Sequence, residues 1–400
     1  MPYATSGLNR GKVGWTKADC LSVKGVTTPK QRFDRAVGPA VACFFGRPCL
    51  RPAATAAENT QPGADAAGKL WYTTRRMETV LITGAGGYIG SNAAEYFAQA
   101  GYRVIGTVRR TVAARFTQLG VTTLSADLTD AAALPRLFAE RPDYIVHIAA
   151  RASDVGRDEW FREANYEAVK RLAEAARAHG VKRFVFLSTA DVYGLHDFAG
   201  EGEDDLPFDE QATNPYPKYK ILAEKWLAAN LPCARFSCVR PGIVYGRGDT
   251  TITPRTIAYL KRTPLVFYFG KWRGRNRWPL AHVENVCRTL HAAMVLPEAG
   301  GCGVTVLDSR RTTLRDYYHE IARTFLDGKR LRECAVPMAL ARPVAALSTA
   351  LSRNRPRPLF DPTLYALDTV AHNLDFSNRR MCDWLARAGL AEYVAPTPLA

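Results

Sequence analysis

The sequence predicts an α/β protein with a doubly wound parallel sheet and a smaller C-terminal lobe that binds the substrate. Between residues 79 and 240, six short apolar segments alternate with helical patterns, and a glycine cluster directly follows the first of them. After residue 240 this alternation stops. Apolar strands separated by helices require right-handed crossovers and a sheet covered on both faces. The later residues are therefore expected to fold over the C-terminal edge of the sheet, where such folds bind ligands.

The predicted elements follow the order that this sheet requires. The strands are runs of apolar and β-branched residues: "TVLITG" (79–84), "YRVIGTV" (102–108), "VTTLSA" (121–126), "DYIVHIA" (143–149), "KRFVFLS" (182–188) and "RFSCVR" (235–240). Helices are predicted between them at 89–100, 130–139, 163–179 and 217–230, and in the lobe at 313–326, 338–352 and 376–388.

The glycine cluster "TGAGGYIGS" lies between the first strand and the first helix. Gly84, Gly87 and Gly90 would allow a tight turn, close approach of the backbone to a pyrophosphate, and close packing of helix on sheet. A glycine cluster alone is weak evidence. At the start of a βαβ unit, however, it indicates a dinucleotide-binding Rossmann domain.

Three parts of the chain can be distinguished. Residues 1–76 lack periodicity and hold twelve Lys/Arg against four Asp/Glu, so we interpret them as a disordered basic extension. Met77 stands directly before the first strand, as an initiator would, and we expect a chain that starts there to fold and bind cofactor. Residues 77–245 are predicted to form the dinucleotide-binding domain. Residues 246–400 are predicted to form mainly the substrate-binding lobe, with some segments that return to the Rossmann core.

Composition excludes several classes of protein. Half of the net charge of +16 lies in residues 1–76, and the remainder forms no dense basic stripe, so no nucleic-acid partner is expected. No run of 18 apolar residues is present, so no stable membrane insertion is expected. Nine scattered cysteines without a CxxC pair indicate a reducing, cytoplasmic location. The histidines have no metal-ligand spacing, so no metal site is predicted.

Two tyrosines precede a lysine by four positions: Tyr216 with Lys220 in "NPYPKYK", and Tyr166 with Lys170 in "YEAVK". This spacing puts both side chains on one face of a helix. An ammonium group beside a phenol makes the phenol more acidic, so such a pair can serve as a catalytic acid/base. Spacing alone does not choose between the two pairs.

The motifs and their order resemble those of the extended short-chain dehydrogenase/reductases over about residues 78–390. The GxxGxxG spacing carries this resemblance, together with "DLTD", "VHIAA", "LSTADVYG", "RPGIVYGRG" and "PLAHVENV" in the expected order. The family includes NAD-dependent epimerases and dehydratases. This chain is most similar to the branch around 3β-hydroxysteroid dehydrogenases and dihydroflavonol-type reductases.

The resemblance implies a cofactor site. Asp127 of "DLTD" would contact the adenine amino group with Leu128 beside it, and Ala149 of "VHIAA" would lie on the nicotinamide side. The glycine loop would contribute Gly84, Gly87, Tyr88, Ile89 and Gly90.

The resemblance also implies catalytic residues and chooses between the tyrosines. Tyr216 follows Thr189 by 27 positions, at the start of the helix after the fifth strand, whereas Tyr166 lies too early in the chain to meet that strand. Tyr216 would transfer the proton, Thr189 would orient the substrate oxygen, and Lys220 would acidify the phenol and hold the ribose hydroxyls. The family's usual asparagine, Asn165, completes the predicted catalytic set.

The predicted cofactor is NADP, with NAD as the alternative. NAD-selective Rossmann sites carry an acidic residue at the end of the second strand. Here that strand ends with Val108, followed by Arg109 and Arg110. A guanidinium group can hold a 2′-phosphate through paired hydrogen bonds.

Three functions are compatible with these motifs. The favoured one is an oxidoreductase that interconverts a secondary alcohol and a ketone of a small-molecule substrate. The alternative is a nucleotide-sugar epimerase or dehydratase, although dehydratases have a glutamate where this chain has Asp191. A non-catalytic scaffold is the least favoured, since both Tyr216 and Lys220 are present. The resemblance further implies a homodimer through helices 163–179 and 217–230.

Overall fold

The computed structural model describes residues 76–109, 114–263 and 265–395 of the chain. The predicted N-terminal extension, except for Arg76, and the predicted phosphate ligand Arg110 lie outside the described residues. Within those ranges, no helix has the length and apolar character needed to cross a membrane.

Strands and helices alternate regularly in the first part of the described chain. In order, the elements are β1 (Thr79–Thr83), α1 (Tyr88–Gln99), β2 (Arg103–Val108), α2 (Ala114–Gln118), β3 (Thr122–Ser125), α3 (Leu134–Ala139), β4 (Tyr144–His147), α4 (Asp158–Arg162), α5 (Ala168–Ala178), β5 (Arg183–Leu187), α6 (Pro215–Asn230) and β6 (Phe236–Pro241). A π-helical segment, Glu163–Glu167, joins α4 to α5. All six predicted strands are present, each within two residues of its predicted ends.

The second part contains shorter strands and more loops. Its elements are β7 (Ile243–Tyr245), α7 (Ile252–Arg262), β8 (Leu265–Phe269), β9 (Leu280–His282), α8 (Val283–Val295), β10 (Gly303–Val306), α9 (Leu314–Phe325), β11 (Arg332–Val336), α10 (Met338–Ser352), α11 (Leu364–Ala371) and α12 (Arg379–Arg387). The sequence pattern does not reveal β7 to β11, because these short strands lie among loops, where the regular alternation of strands and helices has stopped.

The main sheet has seven parallel strands in the order β10-β6-β5-β4-β1-β2-β3. The strand order reverses between β1 and β4, which creates a crevice at their C-terminal ends. Two small parallel sheets, β8 with β11 and β7 with β9, lie in the later part of the chain. The predicted doubly wound fold is therefore confirmed, with β10 as an additional edge strand.

Helices cover both faces of this sheet, and some of them come from late in the chain. On one face, Phe97 of α1 shares a core with Leu290 of α8 and Trp384 of α12. On the other face, Leu172 of α5 and Leu227 of α6 are fully buried in a second core. Segments beyond residue 246 thus pack on the main sheet, while α7, α9 and the β8–β11 sheet enclose a separate core. The crevice between these two groups of elements contains the candidate site.

Candidate active site

The glycine loop packs tightly between β1 and α1. Gly84 has a φ of +70°, and a Cβ atom there would come within 2.9 Å of the Ala149 backbone. A Cβ atom at Gly90 would lie 2.1 Å from the Gly84 carbonyl oxygen, so only glycine lets α1 approach β1 this closely.

The N-terminus of α1 opens toward the crevice. At Gly87, an added Cβ would meet only the Gly84 carbonyl oxygen, at 3.3 Å, and no side chain caps this helix. An uncapped helix N-terminus behind a close-packed glycine loop fits the diphosphate of a dinucleotide. Tyr88 and Ile89 occupy the first turn: Ile89 packs against the core, and burial raises the pKa of the Tyr88 phenol.

Arg109 lies directly after β2 and is exposed. The neighbouring Val108 borders the glycine loop, 3.5 Å from where a Cβ of Gly86 would be. Hydrogen bonds from the Thr129 backbone and hydroxyl lower the pKa of Asp127, and the charge of Arg109 lowers it further. Arg109 and Asp127 therefore lie close together at the tips of β2 and β3, as the predicted adenosine site requires, and Leu128 is buried beside them.

The end of β4 is fixed against the glycine loop. The Thr83 hydroxyl accepts hydrogen bonds from the backbone N–H groups of Ile148 (3.0 Å) and Ala149 (3.1 Å). Ala149 is consequently in contact with Gly84, between the loop and the end of the sheet. This is the location expected for a residue on the nicotinamide side.

Asn165 holds the loop after β4. Its Oδ1 accepts from the Arg151 N–H at 2.7 Å, and its Nδ2 donates to the Arg151 carbonyl at 2.9 Å. The side chain is fully buried in the π-helical segment, and both ends of its amide are used. In this structure Asn165 positions the loop at Arg151, and its predicted catalytic role stays a prediction.

Capping of α6 fixes the location of Tyr216. The Asn214 side chain accepts from the Tyr216 N–H (2.9 Å) and donates to the Asp154 carbonyl (3.0 Å), and Pro215 begins the helix. Tyr216 remains partly exposed in the crevice. Burial and the Asp191 carboxylate raise the pKa of its phenol, while a hydrogen bond with the Thr189 side chain opposes the rise. The Thr189 and Tyr216 hydroxyls are therefore neighbours.

Lys220 lies one turn further along α6 and is buried. Its Nζ donates to the Leu187 carbonyl at 2.7 Å and lies 4.4 Å from the centre of the Phe186 ring. Burial lowers the pKa of Lys220 to about 7, with the nearby Glu224 acting in the opposite direction. The Lys220 Nζ thus faces the Leu187 carbonyl in this structure, and the acidification of Tyr216 by Lys220 stays a prediction.

A third group, Asp191, connects the site to the later part of the chain. Its carboxylate accepts hydrogen bonds from the Thr189 hydroxyl (3.0 Å) and from the hydroxyl of Tyr365 on α11. Burial raises the pKa of Asp191, while these two hydrogen bonds act against the rise. The two donors hold the carboxylate in one orientation. Sequence reasoning did not find Tyr365, which is 149 positions beyond Tyr216 and belongs to no motif.

The competing pair, Tyr166 and Lys170, has a different environment. The Lys170 ammonium lies 5.0 Å from the centre of the Tyr166 ring and pairs with Glu167 at 3.2 Å. Among the described residues, neither the Tyr166 nor the Lys170 side chain makes a hydrogen bond with Thr189. The spatial arrangement agrees with the choice of Tyr216.

Comparison with known proteins gives a consistent result. The model of the "NAD dependent epimerase/dehydratase family" matches residues 80–307. A 2-alkyl-3-oxoalkanoate reductase of Stenotrophomonas maltophilia is 31% identical over 209 residues, which are 52% of this chain and 62% of that protein. A 4-hydroxy-2-methyl-3-oxo-4-farnesyl-3,4-dihydroquinoline-1-oxide ketoreductase of Stigmatella aurantiaca is 28% identical, over 68% of this chain and 80% of its own. The mouse UDP-glucose 4-epimerase is 32% identical, over 38% of this chain and 48% of its own.

Solved structures share the fold. An epimerase of Methanothermobacter thermautotrophicus has a TM-score of 0.62 and 22% identity, over 80% of this chain and 89% of its own. The UDP-glucose 4-epimerase of Thermus thermophilus, in complex with NAD, has a TM-score of 0.53 and 25% identity. The match covers 64% of this chain and 86% of that structure's chain. The chain spans between 53% and 62% of the length of the first three curated relatives that it matches.

Proposed function

Because the chain belongs to the NAD dependent epimerase/dehydratase family, we propose that it is an oxidoreductase that interconverts a secondary alcohol and a ketone with a nicotinamide dinucleotide. The observation that carries the proposal is the proximity of the Thr189 and Tyr216 side chains, with Lys220 one turn beyond Tyr216 on α6. The family resemblance inferred from the sequence is confirmed by the family match.

Each of these residues has a distinct chemical task in the proposal. A bound nicotinamide supplies the group that accepts or donates hydride. Tyr216 gives a proton to the substrate oxygen in reduction and takes it back in oxidation. Thr189 donates a hydrogen bond to the same oxygen and fixes its direction. In the proposal, one substrate oxygen contacts both hydroxyls.

The second candidate is a nucleotide-sugar epimerase, favoured by the identity with UDP-glucose 4-epimerases. A dehydratase is less favoured, because the Asp191 carboxylate that would act as acid is held by Thr189 and Tyr365. The reductase is preferred because two of the matched relatives are named as ketone-reducing enzymes.

A substrate screen separates these functions. The purified full chain is mixed with NADPH or NADH and with 2-alkyl-3-oxoalkanoates, ketosteroids, flavanonols or UDP-glucose. We expect ketone-dependent loss of absorbance from the reduced cofactor and no conversion of UDP-glucose to UDP-galactose. Epimerisation without ketone reduction would replace the proposal with the second candidate. Cofactor binding without any turnover would favour a scaffold.

We expect the protein to prefer NADPH to NADH and to lose this preference in Arg109→Ala. Arg109 is exposed beside the glycine loop and occupies the position directly after β2, where an acidic residue would favour NAD. Loss of a charge-assisted phosphate contact should weaken NADPH binding about tenfold or more and leave NADH binding nearly unchanged. Dissociation constants measured by calorimetry test this, with the exposed Arg136→Ala as a charge-matched control. Equal or tighter NADH binding by the wild type would contradict it.

Cofactor affinity should depend on pH through Lys220. Its pKa of about 7 leaves the free amine mostly neutral at pH 8. In the family-based role, Lys220 faces the ribose hydroxyls near the diphosphate charge, which favours the protonated form and raises its pKa. NADPH binding should therefore take up a proton above pH 7, and affinity should fall as pH rises. Calorimetry at pH 8 in two buffers of different ionisation enthalpy measures the uptake, which Lys220→Met should abolish. Uptake that persists in this variant would assign the proton to another group.

We propose that the protein is a homodimer through α5 and α6. Both helices lie on one face of the sheet, and Leu222 on α6 is exposed there. Light scattering at micromolar concentration should give twice the chain mass, and Leu222→Glu should give the monomer mass. Val295→Glu, at a similarly exposed apolar residue on α8, serves as the control. A monomeric wild type would remove the proposal.

A further inference from the structure

One face of α10 exposes an unbroken row of apolar side chains. Leu340, Val344, Leu347 and Leu351 are between 49% and 67% exposed. Their spacing of four, three and four residues places them on one side of a helix. The adjoining side of the helix, which includes Ala341, Ala345, Ser348 and Ser352, is buried. The outward row is therefore not required for the packing of α10 on its own lobe.

Two further apolar residues adjoin this row. The Leu359 N–H donates to the Ser352 hydroxyl at 2.9 Å, and the Ser348 hydroxyl donates to the Phe360 carbonyl. These bonds hold the segment alongside α10, where Leu359 and Phe360 are both exposed. We call the six side chains the apolar stripe: Leu340, Val344, Leu347, Leu351, Leu359 and Phe360. A continuous exposed apolar surface of this kind usually marks an interaction site.

Most of the charged side chains around the stripe are basic. Residues 334–360 contain Arg342, Arg353, Arg355 and Arg357 and no Asp or Glu, and Asp361, which follows Phe360, pairs with Arg255. Arg342 pairs with Asp368 at 2.7 Å. The other three arginines are exposed, directly follow the end of α10, and make no ion pair with any described residue. An occupant of this surface must therefore be apolar where it meets the stripe and negative where it meets the arginines.

We propose that the apolar stripe and the arginines at residues 353–357 dock the protein on an anionic membrane surface. An interfacial helix inserts an apolar face at the boundary of the acyl chains, and its basic residues contact lipid phosphates. A second copy of the chain fits less well. Two such surfaces would bring together the unpaired arginines at residues 353–357 of both copies, while the nearby Asp361 and Asp368 already pair with Arg255 and Arg342.

The docking surface lies on the same lobe as a residue of the candidate active site. Leu367 of α11 packs against Ala341 and Ala345 of α10, and α11 also carries Tyr365. A membrane-bound α10 would thus bring the crevice close to the lipid surface, where lipophilic ketones concentrate. The docking itself is independent of the proposed reaction.

Vesicle sedimentation tests the proposal. The full chain is centrifuged with vesicles of phosphatidylcholine alone or with added phosphatidylglycerol, at low and physiological salt. We expect binding to the anionic vesicles, weaker binding at higher salt, and little binding to phosphatidylcholine alone. The double variant Leu347→Glu/Leu351→Glu should bind at least about tenfold more weakly. Val394→Glu, which changes a residue that is 77% exposed outside the stripe, should bind as the wild type does.

Two further measurements keep the outcome unambiguous. The triple variant Arg353→Gln/Arg355→Gln/Arg357→Gln should bind several-fold more weakly and with a smaller salt dependence. Circular dichroism should show unchanged folding of each variant. If the wild type does not sediment with anionic vesicles, or the glutamate variant binds equally well, the proposal is wrong. If the glutamate variant instead converts a dimer to a monomer, the stripe is an interface between copies.

Discussion

Tyr216→Phe should lower turnover by roughly a hundredfold or more, with cofactor binding retained. The substitution keeps the aromatic ring that packs at the start of α6 and removes only the transferable proton. The Thr189 hydroxyl then loses its hydrogen-bond partner but remains bonded to Asp191. Because Tyr216 makes no other side-chain hydrogen bond that the fold depends on, stability should change little. Steady-state rates with the best ketone from the screen, together with NADPH titration, measure both quantities.

Tyr166→Phe is the matched control for this experiment. It removes the same atom from the other tyrosine that precedes a lysine by four positions, and its ring contact with Lys170 does not involve the hydroxyl. We expect activity close to that of the wild type. Equal losses in the two variants would overturn the assignment of Tyr216, and so would a Tyr216→Phe protein that cannot bind NADPH.

Breaking the ion pair of Glu224 and Arg240 should cause the largest loss of stability. The Arg240 Nε lies 3.1 Å from both Glu224 carboxylate oxygens, and an Nη donates to Oε2 at 2.6 Å. Both side chains are almost fully buried. Removal of one partner leaves a buried charge without compensation, so Glu224→Ala or Arg240→Met should cost about 3–5 kcal/mol.

Urea unfolding followed by circular dichroism measures this loss. The double variant Glu224→Leu/Arg240→Met should lose much less than the sum of the single variants, because neither charge remains. Lys225→Met, also on α6, breaks an exposed pair with Glu210 of the preceding turn and should change the free energy of unfolding by less than about 1 kcal/mol. Additive losses in the double variant would show that packing, rather than charge pairing, accounts for the effect.

This ion pair also supports the candidate site. Glu224 lies one turn beyond Lys220 on α6, and Arg240 donates to the Tyr193 hydroxyl at 2.7 Å. Tyr193 ends the 3-10 turn that begins after Thr189. The pair therefore connects the helix that carries Tyr216 to the turn that follows Thr189. An arginine inside the apolar strand "RFSCVRP" is the signal for it in the sequence.

Local patterns explain what could be predicted. The six strands, the glycine loop and the start of α6 each depend on residues close together in the chain, so periodicity and residue spacing were sufficient. Asn165 could be identified from its place in the motif order, but its hydrogen bonds to the Arg151 backbone could not be predicted, because they depend on the fold. Tyr365 could not be found, because only the packing of α11 against α10 and the β8–β11 sheet brings it to Asp191. The pKa of Lys220 depends on burial, which spacing does not report.

Elements from late in the chain complete the main sheet, and this has a consequence for biosynthesis. The main sheet receives its seventh strand only at β10, and one face is covered only in part, by α1, until α8 and α12 have been added. While the ribosome extends the chain beyond β6, part of this apolar face must stay exposed for more than a hundred further residues. The nascent protein is therefore expected to depend on chaperones through most of its C-terminal half, and its aggregation during expression should respond to translation speed in that region.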